Sequence, residues 1–384
     1  MKIWTAFLLV SLSLAVPRAP IVQRSRVTLP RGIYLYREQL TNDPQFDQAL
    51  GVAGVDGMAL VLDWSALEPS RGAFTTDTID GQLRMAKGHH VPVELVIRAG
   101  RSVPGWVARD AQLTLAYSNH AGLGACLAIT MPPPWNPNFQ SAFKDVLRRT
   151  AVYVRQQGVA ISAVKLTGIN ATSEELRLAA EPPQATTGCD GGAVDDVQVW
   201  QKAGFTPTKI QRAFDGLVKS FDEVFPDTAV TLPLIPARPF PPIDEQQQIV
   251  RTVKPLNDGI LQAMVASAAH TLANRLILQH DFLISGQPAE PSVVALARAN
   301  RTFVAWQTNL WRGNLREGAA CGGAPQKGTP CTDEQFLDLL RAGIHPDGGA
   351  GPGATALYIE VFPFDALAHQ GAIATAHAEL TGRR

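Results

Sequence analysis

The sequence predicts a (β/α)8 barrel, an α/β fold in which eight parallel strands, each followed by helix, close on themselves. Three observations predict it. Eight short β-branched runs recur along the chain, they are continuously apolar rather than alternating, and helix-period stretches separate them almost without exception. Continuous apolarity is expected of parallel strands covered on both faces. The last run ends shortly before the chain does, as a closing strand should. An open doubly wound sheet is the competing arrangement, but no G-x-G-x-x-G follows the first run.

Each strand is read in order: GIYLY (32–36), GMALVLDW (57–64), VPVELVIRAG (91–100), AVKLTGIN (163–170), AVTLPLIPA (229–237), RLILQHDFL (275–283), TFVAWQTNL (302–310) and ALYIEVFPF (356–364). Helix periodicity marks DPQFDQALGVAG, TIDGQLRMAKGHH, FQSAFKDVLRRTAVYVRQQG and PTKIQRAFDGLVKSFDEVF in the first half. A long stretch over Asp244–Ala273, then EPSVVALARAN, DEQFLDLLRAG and FDALAHQGAIATAHAEL complete the set. Several open with Asp, Pro, Thr or Glu, the residues that start helices. Three long loops follow strand ends, at about 101–137, 171–206 and 311–331. That face is where barrel enzymes build their sites.

A chain of 384 residues is long enough for two or three domains, although a barrel often uses such a length as one. No repeat, low-complexity tract or interdomain linker divides it. The expected organisation is a signal peptide over 1–20 and one barrel domain over 21–384. MKIWTAFLLVSLSLAVPRAP carries a Lys, an apolar run and then small residues, too short for a comfortable membrane span. No later run reaches that length either, so the mature chain is expected to be secreted or periplasmic. Cys126, Cys189, Cys321 and Cys331 allow three pairings. Cys321 and Cys331 flank a Gly/Pro-rich stretch that a disulfide would pin, and Cys126 and Cys189 lie in loop sequence that could pair across neighbouring loops.

Hydrophobic residues make up 46% and charged residues 18%, so a large core is expected. Thirty-four basic residues balance thirty-four acidic ones. That balance argues against a nucleic-acid partner, which requires a basic surface, and against an anionic membrane surface. No G-x-S-x-G, P-loop, H-x-x-x-H or zinc-type spacing is present, so neither a cofactor nor a metal is expected. Oligomeric state is not legible.

Six tryptophans lie beyond the leader: Trp64, Trp106, Trp135, Trp200, Trp306 and Trp311. All fall on strand ends or loops of the working face. Each packs a loop or offers a flat ring to a sugar, whose hydroxyls neighbouring groups then bond. Carboxylates are the second filter. Glu174 and Glu175 follow the fourth strand, Asp63 ends the second, Asp281 stands beside His280 in the sixth, and Glu360 lies in YIEVF of the eighth. An unpaired charge among such apolar neighbours is costly, so Glu360 is expected to face the barrel mouth or a buried cation. Tyr36, Arg98, Asn170, Gln279, His280, Gln307 and Asn309 add hydrogen-bonding groups at strand ends. Together these point to a neutral, hydroxylated ligand.

The stretch LVLDWSALEPSRGAFTTDTIDGQLRMAKGHHVPVELVIRAGRSVPGWV (60–107) resembles retaining (β/α)8 glycoside hydrolases, those of the clan of family 42 type β-galactosidases and cellulase-like enzymes. Trp64, Glu68, Pro69, Gly72, Phe74, Ile79, Asp80, Pro104 and Trp106 carry the likeness. The resemblance implies a Glu directly after Asn on the fourth strand and a Glu ending the seventh. Here Asn170 is followed by Ala171, and Gln307 stands in the seventh strand. The expected activity is two-carboxylate hydrolysis of a neutral oligo- or polysaccharide. Glu175 or Glu174 would be the acid/base, Glu360 the second carboxylate, and Trp64, Trp106, Trp306 and Trp311 the subsites. A carbohydrate-binding barrel without turnover is the alternative.

Overall fold

A computed structural model describes residues 27–37, 44–117, 127–171, 173–180, 195–237, 239–284, 288–308, 320–321, 329–346 and 356–382. The leader, Cys126, Cys189, Asn309 and Trp311 lie outside the described residues. Eight parallel strands form a closed barrel: β1 (Gly32–Leu35), β2 (Val55–Asp63), β3 (Val93–Arg98), β4 (Ile161–Lys165), β5 (Ala229–Pro233), β6 (Leu276–Leu283), β7 (Phe303–Thr308) and β8 (Ala356–Val361). Each pairs with the next in sequence, and β8 closes on β1 with Tyr34 opposite Glu360. The (β/α)8 fold is therefore present, with all eight strands where the apolar runs place them.

Helices wrap the outside: α1 (Pro44–Leu50), α2 (Trp64–Leu67), α3 (Asp77–Gly88), α4 (Pro137–Gln156), α5 (Asp196–Lys202), α6 (Pro207–Val224), α7 (Val253–Leu272), α8 (Pro291–Asn300), α9 (Asp333–Ile344), α10 (Pro363–Ala368) and α11 (Gln370–Thr381). Their starts follow from capping chemistry. Asn136 accepts from the backbone of Asn138 and Phe139 with Pro137 at the first helical position, and Thr332 and Gln335 form a reciprocal capping box. The buried stripe of α4 runs Phe139, Phe143, Val146, Leu147, Thr150, Ala151 and Val154, the spacing of one helical face.

Three elements differ from the sequence expectation. The 244–273 stretch becomes helical only from Val253, because Asp244 Oδ1 accepts from the amides of Gln246 and Gln248 at 3.0 and 2.8 Å and holds a turn instead. The final helix is two, broken at His369. The loop after β3 contains an antiparallel hairpin, Leu113–Tyr117 with Leu127–Met131. That hairpin packs against the turn Gly100–Ser102.

This turn also touches the end of β4. Gly100 has φ +56°, and a Cβ there would lie 2.3 Å from the Ala171 carbonyl oxygen and 2.4 Å from that of Asn170. Arg101 donates its amide to the same Ala171 carbonyl at 2.8 Å. Gly100→Ala should therefore combine left-handed backbone strain with a backbone collision, lowering stability by about 2–4 kcal/mol. Urea unfolding at unchanged m-value measures it.

Candidate functional site inside the barrel

Successive strand residues face opposite sides of a sheet, so parity decides which side chains reach the barrel axis. On the inward parity stand Tyr34, Glu94, Arg98, Lys165, Thr231, Gln279, Gln307, Tyr358 and Glu360, all buried. Small residues of the same parity, Ala163, Ala229 and Ala305, cluster with the Tyr34 and Tyr358 rings and leave room for them. Above this apolar layer lies a polar one.

Lys165 is its hub. The ammonium is 2.8 Å from Glu360 Oε2, 3.5 Å from Glu174 Oε1 and 4.8 Å from the Tyr36 ring centroid. Gln279 Nε2 donates to the same Glu360 oxygen at 2.6 Å. Thr231 donates to Tyr358 at 2.9 Å, and the Tyr358 hydroxyl donates to Glu94 Oε1 at 2.5 Å. Nearby, Asp63 accepts from Arg98 Nε at 2.9 Å and Ser102 Oγ at 2.7 Å.

Protonation follows from this crowding. Burial pushes the Glu360 carboxyl well above the usual range; Lys165 opposes the rise, and Glu94 and Asp281 add to it. Glu360 and Glu94 are hydrogen-bonding neighbours, yet Glu360 Oε1 and Glu94 Oε2 meet no donor among the described residues. A proton kept on Glu360 and donated to Glu94 satisfies both oxygens. At Lys165 burial alone would favour the neutral amine, but Glu360, Glu94, Glu174 and Asp281 outweigh it and raise the ammonium's pKa.

The path of the chain after β4 explains how Glu174 arrives. The strand ends at Lys165, and the backbone turns at Gly168, whose amide donates to Asn170 Oδ1 at 3.0 Å. It then loops round to lie parallel to the end of β5: Leu176 bridges to Leu234, and its amide donates to the Pro233 carbonyl at 2.8 Å. This return lays Glu174 over Lys165. Glu175, the next residue, is half-buried, and the carboxylate partners of Lys165 are Glu174 and Glu360. Asn170 bonds the Gly168 amide and the Ser173 carbonyl and so shapes the loop.

Several expected binding residues sit elsewhere, and parity is the reason. Trp64 follows the end of β2 and is fully buried against Phe139, Phe143 and Trp106. Trp306 and His280 point outward from β7 and β6, edge to face at 6.5 Å, and a Cβ on Gly343 of α9 would meet the Trp306 ring at 3.0 Å. Neither indole offers a face to a sugar. Trp200 is buried as well, donating to the Ala179 carbonyl at 2.6 Å. Trp106 is half-exposed but lies outside the barrel, donating to the Glu68 carbonyl at 2.9 Å. Arg98, Asp281 and Gln307 do belong to the inward set, Gln307 standing opposite Glu360 in the register.

Sequence reasoning missed Lys165, Glu94, Thr231 and Tyr358. A lone charge inside an apolar strand, on the parity of other polar residues, is the signal for the first two. It singled out Tyr36 but missed its aromatic neighbours, Phe362, which Tyr36 meets edge-on at 5.9 Å, and Phe364, which stacks on Phe362 at 6.3 Å. Among the described residues no group of three or more His, Cys, Asp or Glu is arranged to hold a metal, and no helix is long and apolar enough to cross a membrane.

No protein-family model matches the sequence, and no curated protein matches it in sequence. Among solved structures the chain is similar to the catalytic domain of beta-amylase from Paenibacillus polymyxa, with TM-score 0.51, 11% identity, and coverage of 91% of this chain and 96% of that one. A glycosylated endo-beta-1,4-xylanase of glycoside hydrolase family 10 from Gloeophyllum trabeum also matches, with TM-score 0.48, 14% identity, and coverage of 87% and 84%. The resemblance to (β/α)8 glycoside hydrolases carried by residues 60–107 thus holds at the level of the fold.

Replacing Lys165 by Met leaves Glu174 and Glu360 buried against no cation, and stability should fall by about 3–5 kcal/mol. Adding Glu360→Gln should recover part of the loss, a non-additivity that a double-mutant cycle reads directly. His280 supplies a separate test. Burial, opposed by Glu290, lowers its pKa to about 4 from 6.5. Between those values the unfolded chain binds the extra proton, so stability is full above about pH 6.5 and is lost as pH falls towards 4. The loss amounts to about 3 kcal/mol, and urea midpoints across that range should show a slope that His280→Gln flattens.

Proposed function

We propose that the chain is a secreted glycoside hydrolase acting on O-glycosidic bonds of a neutral oligo- or polysaccharide, with Glu174 and Glu360 as its two carboxyl groups. A signal peptide over 1–20 and one barrel domain over 21–384 go with this reading. The observation that carries it is the convergence of Glu174 and Glu360 on the Lys165 ammonium. Oxygens 3.5 and 2.8 Å from one nitrogen are separated by no more than the sum of those distances. Two carboxyl groups within such reach of one nitrogen are compatible with the about 5–5.5 Å of retaining pairs.

The roles divide by environment. Glu360 is the carboxyl whose surroundings favour keeping a proton, the requirement for releasing a leaving group. Glu174 is the partner carboxylate, so the roles are the reverse of those expected from the sequence, in which the glutamate near Asn170 is the acid/base and Glu360 its partner. Tyr36, Phe362 and Phe364 supply flat apolar faces at the strand ends, and Arg98, Asp281 and Gln307 supply hydrogen bonds. Cys331 is disulfide-bonded, which supports an oxidising destination.

A second reading, carbohydrate binding without cleavage, is favoured by one observation. Lys165 and Glu360 are wholly buried, so the ammonium occupies the space between the carboxyls. Incubation with a polysaccharide panel, reading reducing ends beside retention, separates the two. Hydrolysis predicts that Glu174→Gln and Glu360→Gln each lower turnover by about 10²–10⁴-fold. Full activity in both variants would end the assignment, and retention without new reducing ends would support the second reading.

A further inference from the structure

On the outer rim a groove of about 570 Å³ opens between the 68–72 loop, the 106–108 turn and α4. None of its residues belongs to the Lys165 cluster. Its wall combines a half-exposed indole, Trp106, with donors on Arg71, Arg148 and Arg149 and the two-way groups of Asn138 and Ser141. Glu68 lies at the back, only 1% exposed. Its Oε1 accepts from the Gly72 amide at 2.8 Å and from Arg149 Nη2 at 2.6 Å. Its Oε2 is buried without a donor among the described residues.

Such an oxygen, nearly sealed and lining a groove, calls for a donor from a ligand, because a buried acceptor left unmatched is costly. The neighbouring groups say which kind. Arginine donors alternate with the carboxylates of Glu68 and Asp145, and Arg148 Nη1 already pairs with Asp145 Oδ1 at 2.7 Å. An anionic ligand would face those two carboxylates. A hydroxyl both donates and accepts, so a polyol satisfies the acidic and the basic groups together, while its apolar face covers an indole. We propose that this groove is a second, non-catalytic site that binds a neutral saccharide chain, with Glu68 Oε2 accepting from a hydroxyl.

The ligand class rests on the carbohydrate reading of the barrel, whereas the location rests on the groove itself. Ser141 and Arg71 are exposed, so Ser141→Trp, which fills the groove, and Arg71→Ala, which removes a donor, leave the core packing untouched. The full chain is mixed with insoluble starch, xylan, cellulose and galactan, and the bound fraction is measured; reducing ends from the same polysaccharides in soluble form report the barrel separately. Retention on at least one polysaccharide, reduced tenfold or more by Ser141→Trp and severalfold by Arg71→Ala, is the expected result. Retention unchanged in Ser141→Trp overturns the groove site, whatever the reducing-end assay shows. Absence of retention on all four overturns it too, while the reducing-end result still judges the barrel.

Discussion

An ammonium group fully out of water is tolerable only where negative or shared-proton oxygens surround it, and the interior of this barrel is arranged around that demand at Lys165. Glu360 and Glu174 meet the charge, the Tyr36 ring lies beside it, and Gln279 and Glu94 are tied to Glu360. Four of the eight strands, the residue that follows β1 and the loop after β4 contribute to the arrangement. The dependence runs both ways. Without the cation, neighbouring carboxyls in one low-dielectric space would repel; without them, the lysine would shed its proton or pull water into the barrel.

The fold was legible because its signal is redundant. Eight apolar runs, each long enough for a covered strand, specify a closed parallel sheet even when an end is misjudged, as at the 244–252 turn that Asp244 imposes. The site was legible in part. Glu174 and Glu360 stand out as carboxyls beside strand ends, and Glu360 in YIEVF required a buried counter-charge, which Lys165 supplies. Trp64, Trp306 and His280 misled because proximity to a strand end does not say which face a side chain takes, and one residue of offset sends it to the helices. Glu94 and Lys165 passed unseen inside strands read for apolarity alone. Parity within each strand was the missing step.

The conspicuous E-P-S-R-G-A-F element fastens a loop to the outer helices and lies apart from the Lys165 cluster. Glu68 ties its own loop to Arg149 of α4, whose guanidinium also lies over the Phe74 ring at 5.5 Å. Residues that look alike across distant barrels can thus mark how a loop is fastened and leave open where bonds are broken.

The close approach of Gly100 to the end of β4 has a bearing on redesign. Ala171 occupies the place where the resembled hydrolases carry a glutamate, and a designer wishing to reinstate that residue would begin there. Yet the Ala171 carbonyl is clasped by the 100–101 backbone, and its methyl group belongs to the apolar cluster outside the barrel axis. A carboxylate grafted at 171 would be delivered among buried apolar side chains. On the proposed reading the acidic residue stands three positions further along, at Glu174 and with its own supporting loop, so converting this barrel to the commoner layout means rebuilding that whole segment.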